Sequence, residues 1–254
     1  MRAFTRRTTA MVAVAAVVSL LWPAGAASAA DQPPPARDTS KFACPSGQVP
    51  PSGFTDTGGD TFQAQIECLA WYGITQGGPG GRPANEYGPT LVVTRDQMAS
   101  FIVRFLVYVN PSLVPAFDGS NDFTDVPPDN VHMQDINRLA AAGIVKGGPG
   151  GRPANEYGPG LPVARDQMAS FIGRSLSLVL NGDICQNVKN YFDDDNGDIH
   201  EPCINGLADL AIVQGRSPGV YAPTLSVTRD QMAGFVMRSM DLLVERNLAH
   251  PPSS

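Results

Sequence analysis

The sequence predicts a mainly α fold: three two-helix repeats with Gly/Pro-rich loops, packed about a pseudo-threefold axis, behind a disordered N-terminal segment. Three observations predict it. Gly77 to Pro89 reads GGPGGRPANEYGP, and Gly147 to Pro159 repeats the same thirteen letters. Arg95 to Ile102 (RDQMASFI) recurs at Arg165 to Ile172, and Val227 to Ala233 (VTRDQMA) carries a more diverged third copy. The openings Phe54-Thr-Asp, Phe123-Thr-Asp and Phe192-Asp-Asp stand 69 and 69 residues apart. Self-similarity at a fixed period marks a repeat architecture, in which each unit buries its apolar face only against its neighbours.

Taken in chain order, residues 1–29 read as a signal peptide. Arg2, Arg6 and Arg7 form a basic start, Ala10 to Leu21 is an apolar run broken only by Ser19, and Ala27-Ser28-Ala29 is a small-residue cleavage site. A run of about 12 apolar residues is too short to span a bilayer, which takes about 20. Residues 30–43 read as a Pro-rich linker, 44–110, 111–180 and 181–246 as the three repeats, and 247–254 as a tail.

Within each repeat a first helix is expected about Ile66/Leu69/Ala70, Ile136/Leu139/Ala140 and Ile204/Leu207/Ala208. In copy two it should run from about His132 to Ala142, with Gly143 as its stop. The second helix is marked by Met98, Phe101, Ile102, Phe105, Leu106 and Val109, and by the matching residues from Met168 and Met232, stepping by three and four along one face. Thr94 and Thr228 precede Gln97 and Gln231 by three residues, the spacing of a capping box. Copy two has Ala164 instead, so its helix start is expected to be weaker by about 1 kcal/mol.

The four cysteines, Cys44, Cys68, Cys185 and Cys203, imply two disulfides in an exported chain. Three connectivities are formally possible. The repeat register favours Cys44–Cys68 and Cys185–Cys203, because each pair then joins a copy's entry segment to its own first helix and copy two has neither cysteine. Each loop of about 20 residues is worth about 3 kcal/mol in the chain-entropy picture.

Charge excludes some functions. The chain has 18 Lys+Arg against 24 Asp+Glu; loss of Arg2, Arg6 and Arg7 leaves 15 against 24, a formal charge of −9. Such a chain lacks the basic footprint of a nucleic-acid binder. With no CxxC pair and three His, no metal site is expected. Asp193-Asp-Asp-Asn-Gly-Asp198 fits no EF-hand register and reads as a solvated acidic turn. GGPGGRP lacks the Gly-Lys-Ser/Thr of a phosphate loop, and neither a Gly-x-Ser-x-Gly elbow nor an H-E-x-x-H helix occurs. No enzyme activity and no cofactor are expected. Phe62, His132 and His200 open the first helices and suit packing at a groove edge or against a sugar ring.

The order Phe-x-Asp-Val … Ile-x-x-Leu-Ala-x-x-Gly-Ile … Tyr-x-Pro … Val-Thr-Arg-x-Gln-Met-Ala-x-Phe resembles the S-layer homology repeat, over 54–104, 123–174 and 192–238. The resemblance implies a three-pronged helical spindle of secreted, cell-wall or cell-surface location. It also implies non-covalent binding of a secondary cell-wall polysaccharide in the grooves between repeats, often one bearing acidic pyruvyl ketals. By that resemblance Arg95, Arg165 and Arg229 would meet the glycan, beside free helix-start N–H groups that also favour an anion. The motif's Ala-Glu is Asp96-Gln97, Asp166-Gln167 and Asp230-Gln231 here, so an acid stands beside each arginine. The alternative is a structural or protein-interaction module without glycan binding. The glycan, any cargo and the oligomeric state are not readable from the sequence.

Overall fold

A computed structural model describes residues 32–186 and 189–253; the signal peptide read over residues 1–29 lies outside them. The described residues are mainly helical. Each copy contributes a short and a long helix: α1 (Gln63–Trp71) and α2 (Arg95–Val109), α3 (Met133–Ala141) and α4 (Arg165–Leu180), α5 (Glu201–Asp209) and α6 (Arg229–Glu245). The predicted faces are the buried ones, with Met98, Phe101, Ile102, Phe105 and Leu106 of α2 in the core. The short helix of copy two ends where the sequence placed its stop. Gly143 takes φ +74° and Ile144 N returns to Leu139 O at 3.0 Å, closing the helix over a left-handed residue.

The helices pair across copies. The short helix of each copy packs on the long helix of the copy before it: α3 on α2, α5 on α4, and α1 back on α6. Backbone hydrogen bonds follow the same circuit. Val163 N donates to Val93 O, Val227 N to Val163 O, and Val93 N to Val227 O, each at 2.9 Å. The ring is therefore closed through main chain as well as side chains.

The long helices start differently from the capping-box expectation. Thr94 and Thr228 make no side-chain cap to the helix. Instead Arg95 N and Asp96 N donate to Leu161 O and Pro159 O of copy two, at 3.0 and 3.1 Å, and Gln97 N donates to Asp96 Oδ1 at 2.7 Å. The same three acceptors recur for Arg165/Asp166/Gln167 and Arg229/Asp230/Gln231. Thr94 and Thr228 hydroxyls donate to the Asp two residues on. The caps are thus the acids and the neighbouring copy, and Ala164 forfeits only a hydroxyl–carboxylate contact, not a cap.

Both ends of the described chain are fastened. Buried Asp241 on α6 accepts from Phe42 N and Ala43 N at 3.1 Å and from Arg37 Nε at 3.0 Å. Gln214 Nε2 donates to Pro34 O at 2.8 Å. Residues 34–43, read above as a disordered linker, are accordingly docked: Asp241 offers acceptors that the segment's main chain fills. The tail packs too, with Ala249 buried and Tyr108 Oη donating to His250 O at 2.9 Å. The disulfides are Cys44–Cys68 and Cys185–Cys203, with sequence separations of 24 and 18.

The turn at 193–198 is not simply solvated. Asp194 accepts from Tyr221 N and Ala222 N at 2.7 and 2.8 Å, as Asp56 and Asp125 do from the Tyr87 and Tyr157 turns. Asp195 is 1 % exposed, at the position held by buried Thr57 and Val126 in the other copies, and neither carboxylate oxygen has a hydrogen-bond partner. Burial, reinforced by Glu201 and Asp194, pushes its pKa up to about 6. The native state therefore holds this proton more tightly than the unfolded chain, whose value is 3.8, so stability falls as pH rises from 3.8 to about 6.

Two stability experiments check this account. Cys44→Ser with Cys68→Ser should lower urea stability by about 3 kcal/mol relative to the oxidised protein, and reductant should lower that of the wild type further because it also opens Cys185–Cys203. Asp195→Val, the residue of copy two, should raise the urea midpoint at pH 8 and flatten the fall in stability between pH 4 and 6 that the wild type shows over the range of about two units expected from linkage.

Candidate glycan-binding grooves

Each junction between copies is built around a reciprocal clasp. Tyr157 Oη donates to Arg95 O at 2.6 Å while Arg95 Nε donates to Tyr157 O at 2.7 Å. Tyr221 and Arg165 exchange the same pair, both at 2.9 Å, and Tyr87 and Arg229 close the circuit, both at 2.7 Å. Each guanidinium also lies over the tyrosine it clasps, 4.4–4.7 Å from the ring centroid. The second ring is a long-helix phenylalanine, Phe171, Phe235 or Phe101. Arg95, Arg165 and Arg229 are only 5, 5 and 4 % exposed. Burial lowers the pKa of each, opposed by the tyrosine it faces. The helix-start N–H groups beside them are already taken, so these starts are not free anion sites.

The arginines nevertheless border grooves, one at each junction. The first groove, about 470 Å³, is lined by Gln97, Ser100, Phe101, Arg104, His132 and Arg229, with the loop at Gly77–Gly81 as one wall. The second, about 200 Å³, has the matching Gln167, Ser170, Phe171, Arg174, His200 and Arg95, and Gly147–Gly150. The third, about 170 Å³, has Gln231, Phe235, Arg238, Phe62 and Arg165, and Gln214–Arg216. The glycine walls are sterically required. A Cβ on Gly77 would stand 2.2 Å from Ala84 O, and one on Gly147 2.1 Å from Ala154 O.

Each groove thus holds a pair of arginines that recurs in every copy, of which the sequence pointed to one, and the third groove adds Arg216. Arg104, Arg174 and Arg238 each donate an Nη1 to a carbonyl, of Ile74, Ile144 and Ile212 respectively, at 3.3, 3.0 and 3.1 Å. Each lies nine residues after the motif arginine in every copy, a regularity visible in the repeats. Nine residues is two and a half helical turns, so the two arginines of one helix face opposite ways and serve different grooves.

The residue opening each short helix sits at the groove edge, as expected. His132 Nδ1 lies 2.8 Å from Ser100 Oγ and His200 Nδ1 2.7 Å from Ser170 Oγ. In the third groove Phe62 replaces the imidazole, and Gly234 replaces the serine because a Cβ there would be 2.7 Å from the ring. Burial lowers the pKa of both histidines.

Polar capacity differs among the grooves. In the second, Arg95 Nη1 donates to Gln167 Oε1 at 3.1 Å. In the first and third, Gln97 Oε1 and Gln231 Oε1 are buried without a partner, and among the described residues the terminal nitrogens of Arg229 have none. The linings of the second and third grooves hold Arg95, Lys146 and Arg174, and Arg165, Arg216 and Arg238, with no carboxylate; the first adds Asp96 to Arg104 and Arg229.

Comparison with known proteins agrees with this architecture. The S-layer homology domain matches residues 122–169 and 198–233, which run from the opening of copy two into α4 and from the start of α5 into α6. The chain is 27 % identical over 128 residues to the S-layer protein sap of Bacillus anthracis, covering 50 % of this chain and 15 % of that protein. It is 27 % identical over 142 residues to a cell surface protein of Thermoanaerobacter kivui, 55 % of this chain and 18 % of that one. An amylopullulanase of Thermoanaerobacterium thermosulfurigenes is 25 % identical over 174 residues, 67 % of this chain and 8 % of the enzyme. The chain therefore spans a small fraction of each relative's length. Among the described residues no helix is long and apolar enough to cross a membrane. Two of the three copies thus match the S-layer homology domain, and the S-layer and cell-surface proteins among the relatives support a cell-surface location.

Proposed function

We propose that the chain is a non-catalytic anchor that holds to the cell wall by binding an acidic polysaccharide in the grooves between copies. The observation that carries this reading is charge placement. On a chain of formal charge −6, the linings of the second and third grooves each gather three basic side chains and no acid, with Asp166 and Asp198 beside His200 at the edge of the second. Guanidinium groups with phenylalanine beneath and glycine-rich backbone opposite suit a sugar ring that carries a carboxylate. Val131 and Ile199, 88 and 87 % exposed beside the first and second grooves, give the rims apolar area.

The buried clasp redistributes the roles within the motif. Arg95, Arg165 and Arg229 shape the groove floor while holding the copies together, so their replacement weakens the fold as well as the site. Arg104, Arg174 and Arg238 are the guanidiniums to remove in a binding test.

The test is co-sedimentation with cell-wall sacculi, before and after the secondary polysaccharide is stripped by hydrofluoric acid. Wild type should bind native walls, lose binding to stripped ones, and release with rising salt. Arg174→Gln with Arg238→Gln should keep the thermal midpoint within a few degrees yet bind about tenfold or more weakly, the scale of a lost charge-assisted hydrogen bond. Equal binding to native and stripped walls would overturn the reading, and so would no binding to native walls, which would favour a protein partner on Val131 and Ile199.

A further inference from the structure

Where copy three meets α4, two carboxylates and an imidazole converge. One carboxylate oxygen each from Asp166 and Asp198 and one ring nitrogen of His200 lie within 4.8 Å of one another, and all three residues are half-buried. Asp166 is the second residue of α4, while Asp198 and His200 belong to the turn entering α5. The trio therefore bridges two copies. Repeat geometry brings these positions together by design of the fold: Asp198 Oδ1 accepts from His200 N at 2.8 Å, as Asn130 does from His132 N and Asp60 from Phe62 N.

The other two junctions show what is particular here. Between copies one and two the trio is Asp96, Asn130 and His132, and Asn130 Nδ2 donates to Asp96 Oδ2 at 3.3 Å. A neutral amide satisfies the carboxylate. At the closing junction the residues are Asp230, Asp60 and Phe62, with no imidazole. At the middle junction alone, a second carboxylate replaces the amide donor and a nitrogen ligand stands beside it. Ionised carboxylates only accept, so two in contact need something positive between them. Among the described residues neither Asp166 nor Asp198 forms an ion pair with a Lys or Arg. His200 is held in place by Ser170 Oγ, 2.7 Å from Nδ1, the outer contact that orients a ligating imidazole.

We propose that Asp166, Asp198 and His200 form a three-ligand site for a divalent transition cation of the zinc class, joining α4 to the turn before α5. Two oxygens and one imidazole nitrogen are a donor set that zinc accepts, whereas calcium and magnesium favour oxygen alone. Three protein ligands leave a coordination position open. His200 also lines the second groove, so the ion would stand at its rim and add positive charge there.

The experiment uses the tag-free protein after chelator treatment. Thermal unfolding is followed against added ZnCl₂, CaCl₂ or MgCl₂, and zinc binding is measured by calorimetry. Two variants are compared: Asp198→Asn, which installs the residue copy two carries, and His200→Gln. Wild type should bind one zinc per chain and melt higher as zinc is raised, with far smaller effects of calcium and magnesium. Both variants should lose at least the 10- to 100-fold in zinc affinity that removing even an outer partner of a metal ligand costs, roughly. Asp198→Asn should melt above the metal-free wild type, because the amide restores the hydrogen bond seen at Asn130. The proposal is overturned if zinc leaves the wild type unchanged or if the zinc shift survives in both variants. It is also overturned if acidification alone stabilises the wild type while zinc does nothing, which would mean a shared proton in place of an ion.

Discussion

The exchange between a tyrosine and an arginine across each junction is the constraint from which the other features follow. Tyr87, Tyr157 and Tyr221 are fully buried, and each hydroxyl finds its acceptor on the arginine main chain of another copy. The arginine returns a hydrogen bond to the tyrosine main chain and lies on the ring. Neither partner can be satisfied within its own copy. A buried polar group left without a partner costs about 1–3 kcal/mol, so closing the ring is what makes each clasp affordable.

That closure explains why a two-helix unit of this size folds as it does. The short helix of each copy lies on its predecessor's long helix, so each apolar stripe is covered from outside its own unit. The helix starts are capped by carbonyls from the neighbouring copy, leaving Asp96, Asp166 and Asp230 to cap the third N–H. The disulfides and the docking of residues 37–43 on Asp241 add fastening at copies one and three, next to the chain's two ends.

The same junctions produce the grooves. A long helix, a glycine-rich loop and the first residue of a short helix meet wherever two copies join, so one packing solution repeated three times yields three related clefts. Divergence between copies then differentiates them. His132 with Ser100, His200 with Ser170, and Phe62 with Gly234 are matched exchanges of polarity and volume. The grooves therefore differ in size and in polar groups left without partners, while their backbones stay equivalent.

The repeats, the helix faces, the glycine-rich loops and the cysteine pairing were legible in the sequence, because period and spacing are local properties of the chain. The motif arginines were legible as residues but not as contacts. Whether Arg95 reaches solvent or a tyrosine carbonyl depends on Tyr157, 62 residues away, and only packing brings the two together. The same holds for Thr94, whose capping-box spacing was present while the neighbouring copy supplied the acceptors instead. Arg104, Arg174 and Arg238 recur in every copy, yet their membership of a groove formed with another copy's arginine has no signature along one helix. Asp195 and the Asp166–Asp198–His200 trio make the point most sharply. Sequence shows an acidic turn, but which acids are buried, and which meet across a junction, is decided by long-range closure of the ring, since burial and proximity are properties of the assembled copies.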